Sequence, residues 1–340
     1  MKARQSRILI PETSVSRVPP ANLKADEEKF FSHEYNRTFP AVHLWEIENA
    51  RVSTEGVVFA GLKIFKPSLV NGSEIPQYHY RYLASNYFKR KKINLERGKK
   101  YLLCFNEWSM GYFHWMFEML PRLMLVKENL NEYTLLLPEQ YTLPFFENTL
   151  KAFRLQHIQI IPRNSYCYAP RLVMPEHAAP TGNYNETLMQ KLRDQFLSFY
   201  SDNNLSLGDK IYISRKKANY RFILNEDEVI KTLEALGFKT VCFEDYSYGE
   251  AISIMQNTRY LVSIHGANLV NMMFMKPGSS VFQFITNGNS SDLVYYSLAN
   301  AYGHKFYNQF CSYVNPRPGN YWNLTVDIDL LKRNMDQMLL

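Results

Sequence analysis

Three ionisable side chains recur at intervals of four residues in an otherwise apolar segment between Tyr112 and Val126. They are His114, Glu118 and Arg122, and residues four apart lie on the same face of an α-helix. A helix that is apolar nearly all round is buried, and buried ionisable groups are costly unless each is paired or faces a wet cleft. The stripe therefore indicates either an internal His–Glu–Arg chain that satisfies itself or a catalytic acid–base site.

Under the catalytic interpretation, His114 is the favoured general base, because it lies in the first turn of a helix predicted from about Tyr112 to Asn129. The positive end of the helix disfavours the imidazolium, so the ring stays neutral and able to accept a proton. Glu118 would hold the ring in the useful tautomer. Glu118 is also the rival base, since a carboxylate in an apolar helix is expected to have a raised pKa. Pro121 predicts a kink in this helix.

A second group of candidate residues follows two predicted strands further along the chain. Arg215 comes after a strand over Lys210 to Ser214, with Arg221 six residues on, and His265 follows a strand over Tyr260 to Ile264. The carboxyl ends of parallel strands meet at one edge of a sheet, so we expect these side chains to converge. Arginine suits bidentate phosphate contacts, and a small-residue turn at a helix N-terminus favours anions. The pattern predicts a diphosphate site, and the alternative is a basic surface loop.

The elements that must position these residues form two α/β units. After a polar, helix-breaking stretch at 201–209, strands alternate with short helices, which is typical of a doubly wound parallel sheet. Before that stretch, residues 1–40 read as an irregular arm and residues 41–70 as a β-hairpin addition. We therefore predict a first domain over 1–204, a Rossmann-like ligand-binding domain over 205–318, and a terminal helix within 319–340 that crosses back to the first domain.

The composition and charge of the chain bear on its partners and its location in the cell. The chain has 340 residues, a net charge of +7 and 46% hydrophobic residues. The charge favours anionic partners, but no nucleic-acid-binding motif accompanies it, so we expect no nucleic-acid partner. The basic run 89–92 is either a solvated face or a surface for acidic lipid headgroups. No uncharged apolar run reaches about 18 residues, the N-terminus lacks a signal-peptide core, and the cysteines include no CxxC pair. These features predict a cytoplasmic protein with reduced thiols, and the lipid-binding alternative for the basic run would place it at the inner face of the membrane.

Several separate blocks resemble the signature of glycosyltransferase family 61. They are FHWMFEMLPRL, YISR, RFILNEDEV, LGF and IHGANLVNMMFMKPGS, which follow the family's order between about residues 100 and 310. The resemblance implies an α/β fold of the GT-B type, with two Rossmann-like domains facing across a cleft and an N-terminal β-rich addition. It also implies inverting transfer from a nucleotide-sugar donor to a glycan or lipid-linked glycan acceptor. The chain lacks the N-terminal anchor typical of the family's Golgi members, so it resembles a bacterial-type member that acts in capsule or other surface polysaccharide synthesis.

The same blocks imply the residues that contact the donor. His114 and Glu118 would be the catalytic pair in the acceptor-side domain. The implied donor-binding residues are Arg215, Arg221, Asn225, Glu226, His265, Gly266, Ala267, Asn268, Asn271 and Gln283. Two positions depart from the family pattern: Gln283 stands where an acidic ribose partner is usual, and Ala251 stands where a glutamine is usual.

The reaction is expected to need neither a metal nor a cofactor beyond the donor. Metal-dependent transferases often hold a cation with an Asp-x-Asp pair, but here that pattern occurs only at 327–329, where an aspartate is a good helix cap. Arg215 and Arg221 would supply the positive charge for the leaving diphosphate instead. Two alternatives remain open, a nucleotide-sugar epimerase and a catalytically inactive homologue that serves as a partner in a polysaccharide-synthesis complex.

Overall fold

The computed structural model describes residues 1–70, 80–286, 293–314 and 322–340. The chain forms two compact units, one made of Met1–Thr13 and Thr38–Thr181 and the other of Ser14–Arg37 and Gly182–Leu340. Within the described ranges, no helix is both long enough and apolar enough to span a membrane.

The strands are β1 (Lys2–Ile10), β2 (Thr13–Ser16), β3 (Asn36–Phe39), β4 (Val42–Ser53), β5 (Val58–Ala60), β6 (Lys63–Ile64), β7 (Lys91–Asn94), β8 (Lys100–Leu102), β9 (Tyr133–Pro138), β10 (Ile158–Ile161), β11 (Ser165–Pro175), β12 (Lys210–Ile213), β13 (Lys239–Val241), β14 (Tyr260–Ile264), β15 (Ser280–Thr286), β16 (Lys305–Val314) and β17 (Asn323–Thr325). The α-helices are α1 (Glu28–Phe31), α2 (Tyr80–Lys89), α3 (Tyr112–His114), α4 (Leu120–Leu125), α5 (Pro144–Lys151), α6 (Glu186–Phe199), α7 (Glu226–Ala235), α8 (Tyr248–Asn257), α9 (Val294–Ala301) and α10 (Ile328–Leu339). The other helical segments are 3₁₀ turns at Ser32–Glu34, Lys66–Ser68, Lys127–Glu132, Phe243–Asp245 and Ala267–Phe274, and a π-helical stretch at Trp115–Met119.

The first unit is built on a mixed sheet of nine described strands. Its main path runs β10-β9-β8-β11-β4-β5-β6, with β1 added to β4 and β7 added to β11. Strands β8, β9, β10 and β11 are parallel, and β4, β5 and β6 continue as an antiparallel meander. The chain moves from β8 outward to β10 and then returns to the other side of β8 as β11. The strand order therefore reverses between β8 and β11, the position where open α/β sheets bind ligands.

The predicted irregular arm is partly wrong, because β1 is a regular strand paired antiparallel with β4. Most of its side chains are exposed, so its sequence carries no alternating apolar signal. Hydrogen bonding to β4 rather than burial therefore holds this strand in place.

The apolar segment after β8 is helical, as predicted, but it is not one α-helix. It begins as α3, widens into the π-helical stretch Trp115–Met119, and resumes as α4. Pro121 lies in the first turn of α4, where its missing N–H costs least. The irregularity predicted from the proline therefore takes the form of a π turn placed just before it.

The second unit contains a six-stranded sheet in the order β13-β12-β14-β15-β16-β17 among its described residues. The first five strands are parallel and β17 is antiparallel to β16. The chain passes from β12 to β13 on one side and then to β14, β15 and β16 on the other. The strand order reverses between β12 and β14, which places Arg215 and His265 at the reversal.

The division of the chain differs from the predicted boundary at residue 204. Helix α6 belongs to the second unit, where the Phe196 ring packs edge-on against Tyr248 and Phe274. Helix α10 was expected to cross back to the first domain, but it also belongs to the second unit, and its buried Leu331 shares a hydrophobic cluster with Val229. The predicted boundary between 318 and 319 lies outside the described residues.

Candidate functional site

Two arginines and a histidine meet where the strand order of the second unit reverses. Arg215 lies two residues beyond β12, and its guanidinium donates from Nη2 to the carbonyl of Tyr220 (3.0 Å) and from Nε to that of Arg221 (3.3 Å). Arg221 donates from Nη1 to the carbonyl of His265 at 3.3 Å. The two guanidinium carbons lie 5.6 Å and 5.0 Å from the centre of the Tyr220 ring. The convergence predicted for Arg215, Arg221 and His265 is thus present in the structure.

The two guanidinium groups concentrate positive charge at this place. Neither forms a salt bridge with any residue that the structure describes, and both carry hydrogen bonds to neutral carbonyls only. The Nε atom of Arg221 is buried and has no hydrogen-bond partner within the described ranges. Burial lowers the pKa of Arg215, and the neighbouring charge of Arg221 lowers it further. An anion bound between the arginines would relieve this repulsion, so the geometry favours an anionic ligand.

Gly266 has no side chain, and the guanidinium of Arg215 occupies the space that a side chain at this position would fill. A Cβ atom at this position would lie 2.1 Å from Nη1 of Arg215, far inside van der Waals contact. The backbone of Gly266 is extended, with φ at 171°, so any residue could adopt its conformation. Glycine therefore fits here because a larger residue would displace the Arg215 guanidinium, and not because of the backbone conformation.

His265 is held as a neutral ring. Burial sets its pKa well below the ordinary range, and the charges of Arg221 and Arg215 lower it further. The amide Nε2 of Gln283 lies 3.1 Å from Nδ1 of His265, and an amide N–H donates, so the ring proton belongs on Nε2. Gln283 is fully buried in the middle of β15. Its contact with the donor stays a prediction, and in the structure its amide orients the His265 ring.

Asn225 and Glu226 were also predicted to bind the donor, yet their observed contacts support the framework. Asn225 donates to the carbonyl of Val326 (2.9 Å) and accepts from the Val326 N–H (3.0 Å), which ties the start of α7 to the segment after β17. The buried carboxylate of Glu226 accepts from the hydroxyls of Tyr212 (2.7 Å) and Ser214 (2.8 Å). These bonds fix the end of β12 and so position Arg215, which follows it.

The remaining predicted donor residues lie in the 3₁₀-helix Ala267–Phe274, which Gly266 precedes. Ala267 and Asn268 are half-buried at its start, and Asn271 is buried inside it. The expected short helix is therefore present, but as a 3₁₀-helix and not an α-helix.

The first unit holds a histidine–carboxylate pair at its own strand reversal. Nδ1 of His114 lies 2.8 Å from Oε1 of Glu118, which also accepts from the hydroxyl of Thr181 at 2.8 Å. Oε2 of the same carboxylate accepts from the amide of Asn106 at 2.9 Å. Glu118 is almost fully buried, whereas 28% of the His114 side chain is exposed. With its Nδ1 proton directed at Glu118, the ring presents Nε2 as a proton acceptor.

The pKa of Glu118 lies below its ordinary value. Burial alone would raise it, but the hydrogen bonds from His114 and Asn106 lower it. The direction is opposite to that expected for a lone carboxylate in an apolar helix, because Glu118 has three hydrogen-bond donors around it. The carboxylate is therefore held ionised and is suited to orienting the imidazole.

Arg122, the third member of the polar stripe, is completely buried and has a structural role. Its guanidinium donates to the carbonyls of Pro175 (2.8 Å), Cys104 (2.8 Å) and Leu103 (3.3 Å). These carbonyls stand at or just beyond the carboxyl ends of β11 and β8. Arg122 therefore joins the two strands between which the order reverses, and it anchors the helix that carries the pair.

Three residues at this site were missed by the sequence analysis. Asn106 and His177 follow the carboxyl ends of β8 and β11, just as Arg215 follows β12, so the same rule applied to the first unit would have found them. Thr181 lies in a loop with no pattern around it, and only the folded structure brings it to Glu118.

We expect Gly266→Ala to displace the Arg215 guanidinium and to weaken the binding of inorganic pyrophosphate by at least about tenfold, which corresponds to the loss of one charge-assisted hydrogen bond. Isothermal titration calorimetry measures the affinity. Gly111→Ala is a matched control, because a Cβ there meets only ordinary contacts at 3.5 Å. Wild-type affinity in Gly266→Ala would exclude Arg215 from the anion site.

The sequence model of glycosyltransferase 61 matches residues 112–282, about half of the chain, and this range includes His114, Glu118, Arg215, Arg221 and His265. The chain is 32% identical over 87 residues to the human protein O-linked-mannose beta-1,4-N-acetylglucosaminyltransferase 2, covering 24% of this chain and 15% of that protein. The bovine protein of that name is 30% identical over 120 residues (34% and 20%). The Drosophila melanogaster EGF domain-specific O-linked N-acetylglucosamine transferase is 33% identical over 75 residues (21% and 14%). The matched stretches thus span a fifth or less of these relatives' lengths. On the match to its sequence model, the chain belongs to glycosyltransferase family 61.

Proposed function

We propose that this protein is an inverting glycosyltransferase that moves a sugar from a nucleotide-sugar donor to a hydroxyl of a glycan acceptor. The observation that carries the proposal is the pair of arginines without a carboxylate partner in the described residues, placed at the strand reversal of the second unit. A nucleotide sugar supplies the missing anion as its diphosphate. The relatives named above are N-acetylglucosamine transferases, so N-acetylhexosamine donors are the first to test.

Arg215 and Arg221 would stabilise the leaving group. As the bond between the anomeric carbon and the diphosphate oxygen breaks, the electron pair stays on the diphosphate and its charge grows next to the two guanidinium groups. His265 stays neutral beside them, so it adds no third charge that would repel the arginines. With this charge supplied by the protein's own side chains, we propose that the reaction needs no metal.

His114 would act as the general base. Its Nε2 takes the proton of the acceptor hydroxyl while the hydroxyl oxygen forms the new bond to the anomeric carbon. Glu118 stays ionised and stabilises the imidazolium that results, in the manner of a triad carboxylate. A single displacement of this kind inverts the configuration of the sugar. We propose a GT-B architecture for the chain.

The biological setting is a further proposal. The relatives named above come from animals, so they lend no support to the bacterial-type member expected from the sequence. Synthesis of capsule or another surface polysaccharide, at the cytoplasmic side of a membrane, rests on the sequence blocks alone.

The activity is tested by incubating the protein with a panel of nucleotide sugars and a glycan library in the presence of EDTA, and by measuring nucleoside diphosphate release. We expect turnover to persist under chelation. Arg215→Ala should lower it by roughly 100-fold, as loss of one preorganised transition-state donor does. Arg259→Ala, which removes an exposed arginine on another part of the same sheet, is the control. A requirement for added manganese, or normal turnover in Arg215→Ala, would overturn this chemistry. Conversion of the free nucleotide sugar without a glycan product would point to the epimerase alternative, and nucleotide binding without any turnover would point to the inactive homologue.

The assignment of the base is tested by two substitutions in one helix. His114→Ala should lose nearly all transfer while still binding the donor, because the proton acceptor is gone. Glu118→Gln keeps the ring in place and should retain more activity, and the acidic limb of the kcat/KM profile should disappear only in the residual activity of His114→Ala. His157→Ala, on an exposed loop, is the matched histidine control. A dead Glu118→Gln with an active His114→Ala would make Glu118 the base.

We also propose a peripheral membrane contact, through a surface that we call the basic aromatic patch: Leu62, Phe88, Lys89, Lys91 and Lys92. Phe88 is 87% exposed and Leu62 is 63% exposed, and the three lysines beside Phe88 in the chain are exposed as well. Exposed apolar side chains among lysines suit an anionic lipid surface.

Arg90 belongs to the same basic run but is not available for lipid. Its guanidinium makes two hydrogen bonds to the Glu55 carboxylate, at 2.7 Å and 2.8 Å. Burial would raise the pKa of Glu55, but the hydrogen bonds from Arg90 and Tyr82 prevail and lower it to about 2. This pair therefore anchors the run to the sheet and leaves the lysines to face outward.

The patch is tested by co-sedimentation with vesicles of phosphatidylcholine containing phosphatidylglycerol. Reversing Lys91 and Lys92 together to glutamate should lower partitioning by more than about tenfold, since each lysine contributes about 1 kcal/mol near an anionic surface. Phe88→Ser should also weaken binding, and Leu224→Ser, which alters an exposed leucine of the second unit, should not. Equal sedimentation of all variants would rule the patch out.

A further inference from the structure

A second histidine–carboxylate pair lies in the first unit, apart from His114 and Glu118. Oε2 of Glu176 accepts from the backbone N–H of His43 at 2.8 Å and lies 3.1 Å from Nδ1 of the same residue. Oε1 accepts from the indole N–H of Trp45 at 2.7 Å. The carboxylate is thus satisfied by three donors, and it fixes the His43 proton on Nδ1. Nε2 of His43 is then the atom through which this side chain can accept a hydrogen bond.

This pair lines an open pocket of about 460 Å³ within the first unit. Phe39, Pro40 and Pro180 supply apolar walls, and His43, His177 and Thr181 supply polar groups. The volume lies within the range of about 300–1,000 Å³ that is common for small-molecule sites. The combination of apolar faces with a few fixed polar groups is the usual composition of such sites.

His177 gives the pocket an unmet hydrogen-bonding requirement. Its Nε2 atom is buried and has no partner in the described part of the chain. Burial lowers the pKa of His177 to about 3, and the positive charge of Arg122 contributes. The ring is therefore neutral in the physiological pH range. A ligand hydroxyl that reaches this atom on binding would supply the missing hydrogen bond.

The charge of the pocket limits the class of ligand. Glu176 is the acidic residue of the pocket, and its carboxylate would repel an anionic ligand. Because this carboxylate already accepts three hydrogen bonds, it is also a poor partner for a cation. The neutral ring of His177, the Nε2 atom of His43 and the hydroxyl of Thr181 suit alcohol groups, which both donate and accept hydrogen bonds. Carbon–hydrogen faces of a sugar ring suit the proline and phenylalanine walls. A neutral polyhydroxyl ring meets all of these conditions.

Thr181 connects the pocket to the proposed catalytic pair. Its hydroxyl lines the pocket and also donates to Oε1 of Glu118 at 2.8 Å. His114 is not among the residues that line the pocket. A ring bound in the pocket would therefore lie beside the base without itself being the group that loses its proton.

We propose that this pocket binds a neutral sugar ring of the acceptor, adjacent to the unit whose hydroxyl reacts. The proposal rests on the proposed function, because it takes the His114 and Glu118 pair as the place where the acceptor is deprotonated. His177 and His43 are then residues that position the acceptor and contribute to its selection.

The test is saturation-transfer difference NMR on the full chain, with the methyl pyranosides of glucose, galactose, mannose and N-acetylglucosamine as probes. At least one probe should receive magnetisation from the wild-type protein. The signal should fall at least about threefold in His177→Ala, which loses a hydrogen bond, and recover in part in His177→Gln. Ala179→Phe fills the pocket from another wall and should abolish the signal without removing a polar group. Thermal melting of each variant shows that it is folded.

Two controls separate this pocket from the donor site. Arg215→Ala should keep the wild-type glycoside signal, because it alters only the second unit, and His157→Ala should keep it as well. In the transfer assay, His177→Ala should raise the KM for the acceptor and leave the KM for the donor unchanged. The proposal is overturned if no probe receives magnetisation, or if Ala179→Phe and His177→Ala retain the full signal. Glycoside binding without donor turnover would instead count against the transferase and leave a sugar site that is not an acceptor site.

Discussion

The buried guanidinium of Arg122 holds together the part of the first unit on which its chemistry depends. Three carbonyls from the ends of β8 and β11 accept its hydrogen bonds, so a charge that would be costly in the core is stabilised by the backbone. The same bonds fix the helix that carries His114 and Glu118 against the strand reversal. Removing the guanidinium would leave the carbonyls unsatisfied and free the helix to shift. The geometry of the proposed catalytic pair therefore depends on a residue outside the pair.

The second unit uses arginine in the opposite way. Arg215 and Arg221 are drawn together by neutral carbonyls and the Tyr220 ring, and neither forms a salt bridge with a described carboxylate. Gly266 preserves the space that one of them needs, and neutral His265 keeps a third charge away. Arg122 stabilises the folded chain, whereas the positive charges of Arg215 and Arg221 would attract an anionic ligand. The partners of an arginine, and not its burial alone, distinguish the two uses.

The sequence predicted the convergence of Arg215 with His265, because residues that follow parallel strands share an edge whatever the details of packing. The sequence could not show whether Asn225 and Glu226 bind a ligand or support the fold, because polar side chains near such an edge can do either. Only their observed partners show which task they perform. The orientation of His265 by Gln283 depends on the register of β14 and β15, which no local pattern contains. Topology was thus predictable from spacing, and hydrogen-bond partners were not.

The π-helical stretch Trp115–Met119 makes the number of residues in this helix a determinant of how His114 and Glu118 are placed. A π turn holds one residue more than an α turn, and deleting one residue would restore a regular helix. Because the π turn takes up the additional residue locally, the helical segments before and after it would keep their present register. A deletion between His114 and Glu118 would shorten their spacing from four residues to three and so change the geometry of their hydrogen bond. In a related sequence, a one-residue gap between these two positions would therefore keep the fold and alter the proposed catalytic pair.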